Sequence, residues 1–285
     1  MIVKNESAVI ARCLRSVKPF IDAWAISDTG STDDTVEIIE RELKGIPGQV
    51  VAHDWRDFST NRNLAIEAAE AFEPDWLLTI DADEWLEAKP GFSLSEITAD
   101  NVSAPFRIEG TNHTWPRRVL FKPGNRYLGI LDEHLKDNDD QALLASCLIH
   151  SGTDGARAAD GMEAKFERDA ETYRLALKDE PENVRYWFYY AQRLSGAKRY
   201  RDSIEAYKRR IDLGGGFDEE IYHSKFMIAQ CLDRLDSGWR IVASAYQDAF
   251  RERPSRAEPF FALGCLHHEN SDPAMAEVYF RAAQR

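Results

Sequence analysis

The sequence predicts two fold classes in succession: an α/β domain on a mostly parallel sheet, then an all-α domain of helical repeats. Three observations carry that expectation. Up to about Gly152, short apolar runs alternate with helix-length amphipathic stretches, the pattern of strands joined by crossover helices. After about Asp160 the short runs stop, and longer stretches rich in Ala, Tyr, Phe, Arg and Glu follow. Within this second half, aromatic residues and small residues return together at a near-constant interval, as helical repeats require. The expected domains are residues 1–155 and 156–285.

Taken in order, residues 1–3 read as a very short strand and 8–17 as a helix. Residues 23–27 form a second expected strand that ends at Asp28. Ser31, Thr32, Asp33 and Asp34 then offer capping side chains to a helix over 35–43. A third strand is expected over 49–53, a helix rich in Ala and Glu over 60–72, and a fourth strand over 76–80. Ligands of such sheets gather at the carboxyl ends of strands, where Asp28 and the pair Asp81 and Asp83 fall. Residues 103–108, 118–121 and 143–150 read as further strands, mixed or antiparallel.

The stretch Trp76-Leu77-Leu78-Thr79-Ile80-Asp81-Ala82-Asp83-Glu84 is the most telling. A buried apolar strand runs into two carboxylates spaced i, i+2. If the chain stays extended, both point to one face, with small Ala82 between them leaving room for a ligand. Adjacent carboxylates repel, so the pair needs a cation or a raised pKa. Oxygen ligands at a strand end suit Mg²⁺ or Mn²⁺ shared with substrate phosphates. The plain alternative is an acidic strand-to-loop turn.

Composition narrows the function classes. With Asp and Glu at 49 against Lys and Arg at 36, the formal charge is -13, which disfavours broad binding to nucleic acid or anionic membrane. No apolar run approaches the roughly 20 residues of a membrane span, and no basic-then-apolar leader opens the chain. The four cysteines, Cys13, Cys147, Cys231 and Cys265, have no paired spacing, so neither a zinc site nor a disulfide framework is indicated. A reducing cytoplasm is the expected location.

In the second half, Tyr186-Trp187-Phe188 with Ala191-Gln192 returns as Tyr222-His223 with Ala229-Gln230, and again as Pro259-Phe260-Phe261 with Gly264-Cys265. A second helix of each unit matches through Ile204-Ala206-Tyr207, Ala243-Ala245-Tyr246 and Ala276-Val278-Tyr279. The interval of roughly 36 to 39 residues is near the 34 of tetratricopeptide repeats, and the segment resembles about three degenerate units of that kind. A plain helical bundle with aromatic core stripes is the alternative.

The first half, over about residues 1–152, resembles family-2 glycosyltransferases of GT-A fold, through motifs in order. Met1 to Glu6 resembles the opening strand and its turn, and Ala25 to Thr35 the second strand and its nucleotide-contacting loop. Phe58 to Asn63 resembles the Arg-Asn segment, and Leu78 to Glu84 the metal-binding Asp-x-Asp strand. Arg117 to Phe121 and Tyr127 to Glu133 resemble the acceptor side, and Leu148 to Gly152 the closing strand with its metal-facing His. Bacterial members with helical repeats fused behind the catalytic domain also exist.

The resemblance implies a metal-dependent, inverting transferase that takes a nucleotide-diphosphate sugar, with a UDP sugar the first expectation. Asp83, Asp81 and His150 are the implied ligands of Mn²⁺ or Mg²⁺, with Asp83 first; for Asp81, ribose contact or a water-mediated metal contact stay open. Val3, Asn5, Asp28, Arg62, Asp81 and Ala82 are implied nucleotide contacts. The base that deprotonates the acceptor falls among Glu133, then Asp132, with His134 and Glu84 as further candidates. Here this chain departs from the His-Glu order of the family, because Asp132 stands in the His position and His134 follows Glu133. Trp85 and Trp115 are candidate sugar-stacking faces. The repeats are expected to hold the acceptor, bind a protein partner or self-associate. The acceptor itself stays open between protein, glycan and lipid-linked glycan. A decayed transferase serving as a repeat scaffold is the alternative function.

Overall fold

The computed structural model describes residues 1–93, 97, 99–136, 142–152, 154–156 and 160–284. The chain forms two compact units, Met1–Asp160 and Gly161–Arg285. That division lies slightly after the expected 155/156 boundary.

The first unit is GT-A in outline. Its first sheet has the order β1-β2-β3, with β1 at Ile2–Val3, β2 at Trp24–Asp28 and β3 at Gly48–Ala52, all parallel. Helices α1 (Ile10–Val17) and α2 (Thr35–Glu42) make the crossovers. Their apolar residues Ile10, Leu14 and Ile39 are buried with Val3 and Ile26 in one core. Helix α3 spans Phe58–Glu70 and is capped by Asp57, whose carboxylate accepts from Thr60 N at 2.7 Å. That bond satisfies one of the donors a helix start leaves open.

The second sheet is mixed, with the order β4-β7-β6-β11-β5 and β10 paired to β6. Here β4 is Leu77–Leu78, β5 Glu84–Ala88, β6 Asn101–Ile108, β7 Trp115–Phe121, β10 Ala142–Leu143 and β11 Cys147–Ser151. A separate ladder joins β8 (Tyr127–Leu128) and β9 (His134–Leu135). The expected strand over 143–150 is thus split into β10 and β11, and the expected fourth strand stops at Leu78.

The second unit is a run of helices α4 to α10: Met162–Asp179, Val184–Gly196, Tyr200–Leu213, Asp218–Arg234, Trp239–Glu252, Glu258–Glu269 and Pro273–Ala283. Each packs on its sequence neighbours, the behaviour of a repeat array. The recurring small positions explain the period. Ala191 and Ala229 are fully buried, and a Cβ on Gly264 would lie 2.5 Å from the Phe280 ring, so only small residues fit where helices cross. Tyr207 and Tyr246 fill the matching core positions.

Candidate functional site

The site is built on the turn after β4. Glu84 N donates to Asp81 O at 3.1 Å, so the chain turns at Asp81–Glu84 and the two aspartates do not share one strand face. This departs from the extended geometry that would align them. The turn is held from beneath. Cys13 Sγ donates to Asp81 O, and Asp81 N donates to the Glu84 carboxylate at 3.0 Å. Glu84 is 2% exposed and takes both guanidinium nitrogens of Arg117, Nη2 at 2.6 Å. Arg117 also lies 4.0 Å over the Phe106 ring. A buried carboxylate is tolerable because that fork matches it.

Asp81 turns toward α3. Arg62 Nη1 lies 2.8 Å from Asp81, and Arg62 Nε lies 2.5 Å from Glu133. The Arg-Asn segment explains how α3 aims this arginine. Asn61 receives Arg56 N at 2.9 Å and donates to Asp54 O. Asn63 donates to Tyr127 O and receives Tyr127 N at 2.8 Å. One asparagine clamps the loop before the helix and the other clamps β8, so Arg62 between them is fixed. Burial opposes charge on both partners, yet the Arg62 charge and its hydrogen bonds win and hold the Asp81 carboxyl at about 2. Burial likewise works against charge on Arg62, and Asp81 and Glu133 outweigh it.

Asp83 is the opposite case. Burial first, then the charges of Asp81 and Glu84, push its carboxyl up to about 7. Gly152 and Gly155 crowd it: Gly152 N donates to Asp83 O at 2.9 Å, and a Cβ on Gly155 would lie 3.0 Å from Asp83 Oδ2. Arg12 donates to Asp83 O, pairs with Asp154 at 2.9 Å, and covers the Trp85 ring at 4.3 Å. Arg12, Asp154 and Gly155 were not singled out from sequence. They come from segments distant along the chain from Asp83, and only the fold brings them to it.

The implied ligands are not gathered into one cluster. His150 lies opposite Trp85 in the β11–β5 ladder, stacks on its ring at 4.9 Å, and pairs through Nε2 with Glu87 at 2.6 Å. Among the described residues no three His, Cys, Asp or Glu side chains are placed to hold a metal. Strand pairing accounts for this: alternation puts His150 on the face shared by Trp85 and Glu87.

The other expected residues fall around the same end of the sheets. Asp28 accepts from Ser31 N at 3.2 Å and Ser31 Oγ at 2.5 Å, the turn-capping role. Asn5, with φ +55, donates its N–H to Ser31 Oγ and accepts from Thr32 N at 2.7 Å, bracing the loop after β1 on the loop after β2. Val3 and Ala82 are buried in the core with Ile26, so they offer backbone more than side chain. Asp132 has φ +50, a left-handed conformation that Asp tolerates better than most residues. A cavity of about 520 Å³ is lined by Arg62, Asp81, Arg117, Asp132, Glu133 and His134 among others. It joins the base candidates to the Arg62 cluster. Trp115 is 40% exposed and packs edge-on to Phe106.

The chain is similar to several known proteins. Residues 1–90 match the family model of glycosyl transferase family 2. The glycosyltransferase SunS of Bacillus subtilis, described as SPbeta prophage-derived, is 27% identical over 264 residues, covering 87% of this chain and 61% of SunS. The chain therefore spans under two thirds of that relative. An uncharacterized glycosyltransferase of Rickettsia felis is 38% identical over 86 residues, covering 30% of this chain and 28% of the relative. A TPR repeat-containing protein of Synechococcus elongatus is 44% identical over 88 residues, covering 30% and 20%. A crystal structure of MamA is 17% identical and covers 42% of this chain and 68% of MamA at a TM-score of 0.37, too low a likeness to carry an argument. Residues 1–90 are thus similar to glycosyl transferase family 2, and the second unit that follows is a run of helices.

Proposed function

We propose that the first unit transfers a sugar, with inversion, from a nucleoside diphosphate donor to a nucleophilic acceptor, with a UDP sugar as the first-choice donor. The observation that carries this is Asp83: a carboxyl pushed up to about 7 beside a carboxylate that Arg62 keeps ionised. Such a concentration of negative charge is costly without a cation, and it suits a divalent ion at Asp83. Glu84 and Asp81 are each occupied by an arginine, which leaves Asp83 as the residue that would hold Mg²⁺ or Mn²⁺. When bound, such an ion supplies Lewis-acid neutralisation of a departing diphosphate. His150 would join it only after release from Glu87.

The chain's own residues do the rest. Asp28 and Asn5 shape the loops that face a nucleotide. Arg62 holds Asp81 and Glu133 in place and adds positive charge beside the donor site. Glu133 lines the cavity and is the first-choice base, with Asp132 the second. Because Arg62 donates to Glu133 at 2.5 Å, an acceptor must compete for the other lone pairs of that carboxylate. The helical repeats offer a surface for an acceptor or protein partner. No described helix is long and apolar enough to cross a membrane.

A donor panel tests this reading. UDP, GDP, dTDP and CDP sugars are incubated with the protein and Mn²⁺, and nucleoside diphosphate release is measured for the parent chain, Glu133→Gln and Asp132→Asn. Release from one donor class, lowered at least about a hundredfold in one of the two variants, supports the assignment. Release from none of the donors, with or without acceptor candidates, favours the scaffold alternative.

A further inference from the structure

β3 (Gly48–Ala52) is the end strand of the first sheet. It pairs in parallel with β2 along all five of its residues, with no break in register. Trp24 N donates to Pro47 O, and His53 N donates to Asp28 O. Residues that bond inward alternate along a parallel strand, so 47, 49, 51 and 53 bond to β2. Gly48, Val50 and Ala52 therefore turn their N–H and C=O groups outward, and among the described residues none bonds them there. Gly48, Gln49 and Ala52 are exposed, and Val50 and Val51 are half-buried. Such edges are normally guarded by charge, proline, a bulge or a covering element. The end strand β5 of the second sheet is guarded: Ser16 of α1 takes the Leu86 N–H at 2.9 Å, and Glu84 and Glu87 lie in the strand. Within β3 there is no charged residue, no proline and no bulge. Gly48 leaves the space where the Trp24 ring lies, and Val50 packs against the core of Val3 and Ile26. The result is an anchored, uncharged edge on a chain of formal charge -13.

We propose that β3 is a pairing edge whose occupant is the β3 of a second copy of this chain, laid antiparallel about a twofold axis at Val50. The register favours a copy over an unlike strand. The outward residues are symmetric about Val50, so Val50 faces its equivalent while Gly48 and Ala52 face each other across the axis. Each of these pairs exchanges both backbone bonds, and every outward N–H and C=O finds a partner. Gln49 and Val51 meet between them, so no like charges stand opposite within the strand. An acidic chain meets its copy with least repulsion along a neutral strip. The contact is isologous and closes at a dimer, joining two three-stranded sheets into one. Because the copies run antiparallel, the carboxyl ends of β2, with Asp28, point to opposite ends of the joined sheet, and both stay open.

The test follows the full chain from about 5 to about 500 µM by sedimentation velocity and amide exchange. A reversible monomer–dimer step is expected. Exchange in the dimer slows at least about tenfold at Gly48, Val50 and Ala52, while Gln49 and Val51, already bonded to β2, change little. Val50→Lys and Val50→Glu each set like charges on the axis and weaken the dimer at least about tenfold; mixing the two variants in equal parts restores it. Raising the salt tightens the parent dimer, because both copies are acidic. A chain that stays monomeric over this range overturns the proposal. So does a dimer without the alternate protection at 48, 50 and 52, one that neither charge weakens, or one that salt dissolves. Protection of these amides only when an unlike extended peptide is added assigns the edge to another partner and overturns the second copy. If a Val50 variant fails to fold, as melting curves would show, the exchange pattern of the parent decides.

Discussion

Arg62→Met removes the charge that joins α3, the Asp81 turn and the Glu133 loop, and keeps most of the side-chain volume. Arg62 is 12% exposed and sits 2.8 Å from Asp81 and 2.5 Å from Glu133. Breaking a buried ion pair from one side costs about 3–5 kcal/mol. The Asp81 side chain is 37% exposed, so solvent screening lowers the expected loss to about 2–3 kcal/mol at neutral pH. The pH dependence carries the sharper signature. In the parent, Asp81 is held at about 2, below the unfolded value near 3.9. Its contribution is present above about pH 4 and fades as pH falls toward 2; the shift corresponds to about 2 kcal/mol, discounted to about 1 kcal/mol for exposure. In the variant the buried Asp81 carboxylate loses its main counter-charge, so burial raises its folded pKa and the sign reverses. The loss is then largest above about pH 6 and shrinks toward pH 4. Urea unfolding followed by tryptophan fluorescence reads mainly the first unit, which holds five of the seven tryptophans. A loss under about 1 kcal/mol at pH 7.5, or equal losses at pH 7.5 and 4.5, would show that Arg62 does not hold Asp81 and Glu133 through charge.

Asp83→Asn is expected to stabilise the protein at pH 8. The folded carboxyl sits at about 7, above the unfolded value, so its favourable contribution is complete below about pH 4 and is lost as pH rises through 7. The amide removes that penalty, by about 2 kcal/mol after screening, with no gain at pH 4; thermal melts at the two pH values check it. In the repeat unit, Arg210 is fully buried, and its Nη2 donates to Glu220 at 3.1 Å and to Gly215 O. Arg210→Met leaves Glu220 with the longer Arg185 pair at 3.9 Å and should cost about 3 kcal/mol, read as early loss of helix by far-UV circular dichroism, whereas Arg251→Met, at an exposed helix pair, should change stability by under about 0.5 kcal/mol.

The alternation of apolar runs made the first sheet and its crossovers legible, because parallel strands covered by helices must read as short apolar runs. The repeat half was legible through Ala191, Ala229 and Gly264, where close helix crossings admit only small residues. Less was legible where the chain turns. The apolar run before Asp81 promised an extended strand, but the buried Glu84 carboxylate, held by Arg117, bends it at once. The strand Glu84–Ala88 was hidden by its acidic residues: Glu84 and Leu86 face inward, so one of the two buried positions is a carboxylate, and Trp85 and Glu87 take the other face. His150 shows the limit for the site. Order along the chain placed it on the closing strand, but which face it takes depends on register, and the register with β5 gives it to Trp85 and Glu87. A one-residue slip would have reversed that face.

The most direct test of the donor site is calorimetric titration of UDP into the full chain with and without Mn²⁺, beside Asp83→Ala. Binding is expected to need the metal and to be lost in Asp83→Ala while the variant stays folded. Metal-independent UDP binding of equal strength in both proteins would rule out an ion held by Asp83 at the donor site.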